Sequence, residues 1–440
     1  MLRETDSAMT VVSSSAVSPR IQKSFAMGAN VPSFHASKVD QAGISPNVDA
    51  VSEGTADSLV PQVASFVCGH ACSGVLTEDA WTYLERGLRQ RFDAVSACMD
   101  KIVSEGTIPR FLNESRYLSK VLPTALGPVN GTTRSEIAWA WLVSTDLYWT
   151  STGELIVLDH NFSLPTGLER LSPGGIVSPL TDVLFSDWTK DGGRQTDREI
   201  AVLDPGFYSA TFRGNEFLAR CLKAHLVRCS DLTIRSDGVF LKVGSKTNRI
   251  DTIVRRIDDD LLDPNCFRPE SLVGLPGLVR AWKNGLVNVL SPPGCDFANS
   301  RSFGRSIPVM IREFLREEPL LRSVEILECG DAEDFQKVVA NADRYAIRTN
   351  DPRHPAQPFF GAHGRTAECS DLIRQIARNP SAYVARPLLP KDQPPGLHLR
   401  VFATMGKSFR LLRRAVGRAA QPDGGAPFSI GYDAETMTVS

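Results

Sequence analysis

No stretch of the 440 residues approaches the ~18 to 20 consecutive apolar residues that a membrane-spanning helix needs, so an integral helical membrane protein is not expected. Charge of one sign is missing too. Forty-nine basic side chains against fifty acidic ones leave a formal charge of -1, with no basic excess to bind nucleic acid through counterion release. The amino terminus carries Glu4 and Asp6 and lacks the apolar h-region of a secretory signal. Cysteines number nine, scattered and odd, which fits reduced thiols in a cytosol and not a disulfide framework. No internal repeat is visible. What is present is ordinary: 42% hydrophobic and 22% charged residues, enough to bury a core, in a length that favours two to three domains. The expectation is a soluble intracellular protein, an enzyme or the relative of one.

Residues 1 to about 60 are rich in Ser, Ala and Val without helical or strand period, and read as a disordered leader. From Leu76 the pattern changes. Trp81, Leu84, Leu88, Phe92, Val95, Met99 and Ile102 recur at helical spacing behind Thr77, with Glu78 and Asp79 in the first turn. Asp146 to Asn161 reads as a hairpin with arms DLYW and ELIVLDHN around Ser-Thr-Gly at 151 to 153. Near Glu199 strands and helices begin to alternate: IAVLDPG, FRGNEFLARCLKAHL, HLVRC, a hairpin around Ser236-Asp237-Gly238, DTIVRRI, GLPGLVRAWKNG and LVNVLSPPG. That alternation predicts a largely parallel α/β sheet. The helix SIPVMIREFLREE leads into a last α/β portion with RYAIRT, SDLIRQIARN, AYVARPL and two antiparallel strands, LHLRVFATM and SFRLLRRAV.

Three polar groupings carry chemistry. Cys68-Gly-His-Ala-Cys72 puts three metal-binding side chains in one loop, but no second Cys or His pair at zinc spacing completes a tetrahedral site. Asp159-His160-Asn161 ends a strand, where residues two apart share a face. Asp159 and Asn161 then project together and offer oxygen ligands to Mg²⁺; the alternative is a solvated strand end before the Pro165-Thr166-Gly167 turn. Arg255-Arg256-Ile257-Asp258-Asp259-Asp260 follows a strand of the α/β unit, where ligands of open sheets bind. Its guanidiniums and carboxylates either hold a carboxylate substrate and a cation or pair with one another at a domain junction.

The runs IVRRIDDDLLDPNCFRPESLVGLPGLVRAWKNG, VLDPGFYSATFRGNEFLAR and DLYWTSTGELIVLDHNFSLPTG, with the helix WTYLERGLRQRFDAV, resemble the circularly permuted ATP-grasp proteins of bacteria over roughly residues 78 to 420. The resemblance implies an enzyme that clamps ATP between two lobes and activates a carboxylate as an acyl phosphate for attack by an amine. The superfamily's metal motif falls on Asp159 and Asn161, and its phosphate-binding lysines fall on Arg301 and Arg348. Arginine keeps the charge in a longer, planar fork. The phosphate loop reads Asn350 to Pro358, where Pro352, Pro355 and Pro358 remove backbone donors and fix φ. The family's Asp-Leu-Arg strand reads His398-Leu399-Arg400, so one acidic ligand is replaced.

The architecture expected is α/β, with circularly permuted ATP-grasp lobes around a Rossmann-like domain. A disordered leader (1–60) precedes a helical segment with the metal hairpin (61–198), the Rossmann-like domain (199–300) and a C-terminally shortened ATP-grasp lobe (301–440). The resemblance implies an ATP- and Mg²⁺-dependent carboxylate–amine or peptide-type ligase acting on small-molecule substrates in the cytoplasm. Asp159 and Asn161 are its expected metal ligands, Arg301 and Arg348 its nucleotide contacts and Arg400 its catalytic residue. Arg255, Arg256, Asp258 and Asp259 are the expected substrate contacts. The alternative is a non-catalytic binding or scaffold protein that keeps the fold, and the proline-filled loop separates the two.

Overall fold

The apolar spacing from Trp81 to Ile102 is that of a helix, and the computed structural model shows one at Glu78–Glu105. Thr77 caps it by accepting a hydrogen bond from the backbone N–H of Ala80, and Gly106 closes it at φ +64°. All seven apolar residues of the predicted stripe are buried. The structure describes residues 76–129, 139–150, 153–171, 199–351, 359–360, 366–389, 397–405, 409–419 and 437–439. These all lie in one unit, Ser58–Ser440. The expected leader and the Cys68–Cys72 loop lie outside the described residues.

The hairpin arms become strands Leu142–Trp149 and Leu155–Asn161. They do not stand alone. Leu142–Trp149 pairs on its other side with Leu397–Thr404, which pairs in turn with Arg410–Ala419. Strands from the first half and from the end of the chain therefore share one six-stranded sheet. The long helix covers one face of it: Phe92 lies 5.6 Å from the ring of His160 and 5.7 Å from that of Phe409. Its Gly87 lets Leu321 come close, since a Cβ there would stand 2.4 Å from Leu321 Cγ.

A second sheet is wholly parallel, in the order His225–Val227, Ile200–Leu203, Thr252–Arg255 and Asn288–Leu290. Its strands are short apolar runs, as a sheet buried on both faces requires. The hairpin around Ser236-Asp237-Gly238 gains a third strand, Lys246–Ile250, and forms a separate antiparallel sheet. That strand is polar and mostly exposed, so no apolar alternation announced it. A fourth sheet pairs Tyr345–Thr349 with Tyr383–Pro387 and buries Ile347 and Ala385 against helices Ala332–Ala340 and Thr366–Arg378 through Val338 and Ile376. The fold is α/β, with a Rossmann-like parallel sheet beside antiparallel ones. No helix among the described residues is long and apolar enough to cross a membrane.

Candidate functional site

The hairpin register decides which side chains meet. Pairing runs regularly from Trp149 opposite Leu155 to Leu147 opposite Val157, then shifts so that Asp146 faces Asp159 and Ser144 faces Asn161. The extra residue is Leu158. In a regular ladder Leu158 would stand opposite Asp146 and Asp159 would turn to the face of Thr145. The bulge instead puts Asp159 and Asn161 on the face of Asp146 and sends His160 toward the long helix. On the far side of the same strand Asp146 faces Arg400. Residues directly opposite in a ladder share a face, so Arg400, Asp146 and Asp159 form a row across three strands. Arg400 grips Asp146 with both arms of its fork, Nε to Oδ1 at 2.6 Å and Nη2 to Oδ2 at 2.8 Å. Its Nη1 donates to the carbonyl of Thr166, just before Gly167 turns the chain at φ +94°.

Arg301 extends the row. It opens the helix Arg301–Met310, whose cap Ser300 accepts from the N–H of Phe303. Asn350 clamps that helix start, accepting from the N–H of Ser302 at 3.1 Å and donating to the Ser302 hydroxyl. Arg301 Nη1 donates to the carbonyls of Thr349 and Asn350, and Nη2 reaches Asp159 Oδ2 at 3.2 Å. Arg348 and Arg386 arrive from the fourth sheet, where Arg386 faces Ala346 and Arg348 faces Val384. Both therefore point off the same face. Burial, with Arg301 and Arg386 beside it, pushes the Arg348 guanidinium down to about 9. Burial likewise pushes Arg386 down to about 10, Asp159 holding it up and Arg301 lowering it further. Both stay charged at neutral pH. Burial raises Asp159, and Asp146 adds to that while Arg301 and Arg348 oppose it. One guanidinium thus pairs with Asp159 and the charges of two more act on it, while the carboxylate stands opposite a second.

Behind the row, Arg91 of the long helix donates from Nε to His160 Nε2 at 3.1 Å, and His160 Nδ1 meets the Thr145 hydroxyl at 2.9 Å. The acceptor role of Nε2 assigns the proton to Nδ1, so the ring is neutral. Burial and Arg91 hold its pKa well below the ordinary histidine value. His398 lies two residues from Arg400 on the same face, opposite Tyr148, with ring centroids 5.3 Å apart.

The two arginines at the end of strand Thr252–Arg255 separate. Arg255 is wholly buried and pairs with Asp259 at 2.9 Å and Asp296 at 2.8 Å. Asp259 also accepts the N–H groups of Gly294 and Asp296. This cluster ties together the loops that follow two parallel strands. Arg256 turns the other way, donating Nε to Asn215 Oδ1 and Nη2 to the Pro165 carbonyl, both at 2.7 Å. It lines a cavity of about 310 Å³ with Asn161, Thr166, Ser209, Asp258 and Asn299. Of the four expected substrate contacts, Arg256 and Asp258 line this cavity, and Arg255 and Asp259 sit in the ion-pair cluster.

Asn161 also lines the cavity, while its Oδ1 accepts the N–H groups of Ser163 and Leu164 and so holds the turn. Asp146 is the oxygen donor directly opposite Asp159, and sequence reasoning missed it. Its signal was there: DLYW begins with an aspartate that hairpin pairing carries toward the LDHN end. Arg386 was also missed, because AYVARPL and RYAIRT meet only in the folded sheet. Asn350 and Asp351 are described, whereas positions 352–358 of the proline-rich loop lie outside the described residues. Two facing carboxylates suit Mg²⁺, which takes one or two carboxylates and completes its shell with phosphates and water.

A family model described as circularly permuted ATP-grasp type 2 matches residues 175–420. An uncharacterized protein of Synechocystis sp. is 27% identical over 352 residues, covering 73% of this chain and 71% of that protein. An uncharacterized protein of Mycobacterium tuberculosis is 27% identical over 339 residues, covering 72% of this chain and 60% of its own length. A Frankia casuarinae protein named as a candidate glutamate–cysteine ligase is 25% identical over 388 residues; the match spans 79% of this chain and 44% of that protein.

Proposed function

Since the chain belongs to the circularly permuted ATP-grasp type 2 family, we propose that it is an ATP- and Mg²⁺-dependent ligase joining a carboxylate to an amine. One observation carries this reading. Arg301 pairs with Asp159 at 3.2 Å, the charges of Arg348 and Arg386 act on the same carboxylate, and Asp159 faces Asp146, so anion-binding and cation-binding groups adjoin as a magnesium nucleotide requires. Asp159 and Asp146 would hold the cation, which would neutralise phosphate charge. Arg301, Arg348 and Arg386 would hold the phosphates, with Arg400 keeping Asp146 in place.

The carboxylate substrate binds in the neighbouring cavity against Arg256. A carboxylate oxygen attacks the γ-phosphorus, the bond to ADP breaks and an acyl phosphate forms. The amine nitrogen then attacks the acyl carbon, phosphate leaves, and Asp258 accepts the amine proton. The Frankia relative's name supports amino acids as the substrate class. The test is phosphate release from Mg·ATP with amino acids supplied as carboxylate and amine, glutamate and cysteine among them. Release should need both partners and should vanish in Asp159→Ala.

His398 in place of an acidic ligand and the prolines at 352, 355 and 358 favour a second reading, a binding protein that no longer turns ATP over. In that case Mg·ATP raises the melting temperature and no phosphate appears. A protein that neither releases phosphate nor gains stability from Mg·ATP would sink both.

A further inference from the structure

We propose that the cavity lined by Arg256 binds a carboxylate with an aromatic ring close to it. The class is an aromatic amino acid or a peptide that ends in one, with Phe207 and Tyr208 meeting the ring. The inference rests on the carboxylate reading of Arg256 above and names the substrate class of that cavity. Phe207 and Tyr208 are 62% and 90% exposed, and their rings lie against one another with centroids 3.8 Å apart. A single exposed apolar side chain is ordinary; two adjacent aromatic rings held in water are not. Pro205 and Ser209, on either side of the pair, both line the cavity. Each ring therefore stands within two residues of the cavity wall, at most about 7 Å along the chain.

The turn that displays the rings is pinned on both sides. Ser209 N–H donates to the Gly206 carbonyl at 2.9 Å, which puts Phe207 and Tyr208 at the two tip positions. Gly206 stands at φ +126°, where a side chain would be strained although nothing lies within 4 Å of the Cβ it would carry. Its N–H donates to Asp204 Oδ1 at 2.6 Å, and the N–H of Thr211 donates to the Ser209 hydroxyl at 3.2 Å. Asp204 Oδ2 in turn accepts from Asn215 Nδ2 at 2.6 Å, and Asn215 Oδ1 accepts from Arg256 Nε at 2.7 Å. Asp204, Asn215 and Arg256 are all buried. One buried carboxylate thus fixes both the guanidinium of the cavity and the rim that carries the rings. A ligand with a carboxylate and an apolar plane near it meets both groups already in place, so little ordering opposes its binding. A third ring extends the aromatic pair through its faces and edges, whereas an aliphatic chain gains only the buried area.

The experiment measures binding of N-acetyl-phenylalanine, N-acetyl-leucine and N-acetyl-alanine by calorimetry. The full chain is titrated alone and with Mg²⁺ and a non-hydrolysable ATP analogue. Acetylation leaves the carboxylate as the one charge of each probe. Wild type should bind the phenylalanine probe about tenfold more tightly than the alanine probe, with the leucine probe between them. Phe207→Ala/Tyr208→Ala should bring the phenylalanine-to-alanine ratio down to about twofold or less. Arg256→Gln should weaken all three probes by about tenfold or more and keep their order, since a charge-assisted contact is lost.

The two ring substitutions lie on the surface, so they decide by themselves if Arg256→Gln does not fold. A wild type that binds none of the probes in either condition overturns the proposal. So does a phenylalanine probe bound no more tightly than the alanine or the leucine probe, or a preference that survives the loss of both rings. Phosphate release from Mg·ATP with other carboxylates then leaves the ligase reading in place. Ring preference without phosphate release from any pair of substrates means the opposite: the ligase reading fails and the aromatic site stands.

Discussion

His160 is a buried ring whose two nitrogens are both engaged, one by a guanidinium that cannot lose its proton. Protonation would set two cations against each other out of reach of water. Its folded pKa therefore lies well below that of the unfolded chain, about 6.5. The sign follows from linkage. The unfolded state binds the proton more readily, so the contribution is fully present above about pH 6.5 and is lost as pH falls toward the folded value. The slope is up to about 1.4 kcal/mol per pH unit for this one group. Urea unfolding of wild type and His160→Gln at pH 7, 6 and 5 should show the wild type losing stability more steeply. Parallel slopes would mean that the ring titrates freely, against the Arg91 contact.

Gly87 sits inside the long helix, where alanine would ordinarily add about 1 kcal/mol of helix propensity. Here the local gain loses to packing. A Cβ would lie 2.4 Å from Cγ and 2.7 Å from Cδ1 of Leu321, a side chain that is 1% exposed. Overpacking costs about 1–3 kcal/mol, so Gly87→Ala should destabilise by up to about 2 kcal/mol net. Leu321→Ala alone should cost about 2–5 kcal/mol by opening a cavity. The new methyl fills part of that cavity, so the double variant should lose less than the sum of the two single losses. Simple additivity in denaturant melts would refute the close approach. The helix spacing was legible from residue 81 to 102; the reason for a glycine in its middle was not, because Leu321 lies far along the chain.

Across the whole molecule, Phe92 joins segments that are distant in sequence. Its ring lies 5.6 Å from those of His160 and Phe162 and 5.7 Å from that of Phe409, with no exposure to solvent. The long helix, the hairpin and the C-terminal strands thus meet on one side chain. Phe92→Ala should remove about 3–5 kcal/mol of stability. The loss should appear as one shifted transition, seen alike by tryptophan fluorescence and circular dichroism. Separate transitions for the two probes would show that the hairpin sheet and the rest unfold independently.

The sequence by itself determined the long helix and its cap, the hairpin, the alternation that makes the parallel sheet, and the family. Each is written in short-range periodicity, turn chemistry or collinear motifs, which need no partner elsewhere. Asp159 and Asn161 sharing a face was legible on the same ground. Which face they share was decided by the bulge at Leu158, a matter of register against Asp146 that one strand alone does not state. Arg255 and Arg256 are adjacent and chemically alike, yet one is locked between Asp259 and Asp296 and the other lines the cavity. Arg386 joined the site only when its strand paired with Tyr345–Thr349, and Arg400 reached Asp146 only when strands far apart in the chain were paired. Charge compensation acts through space and not along the chain, and only the tertiary structure says which charges are neighbours.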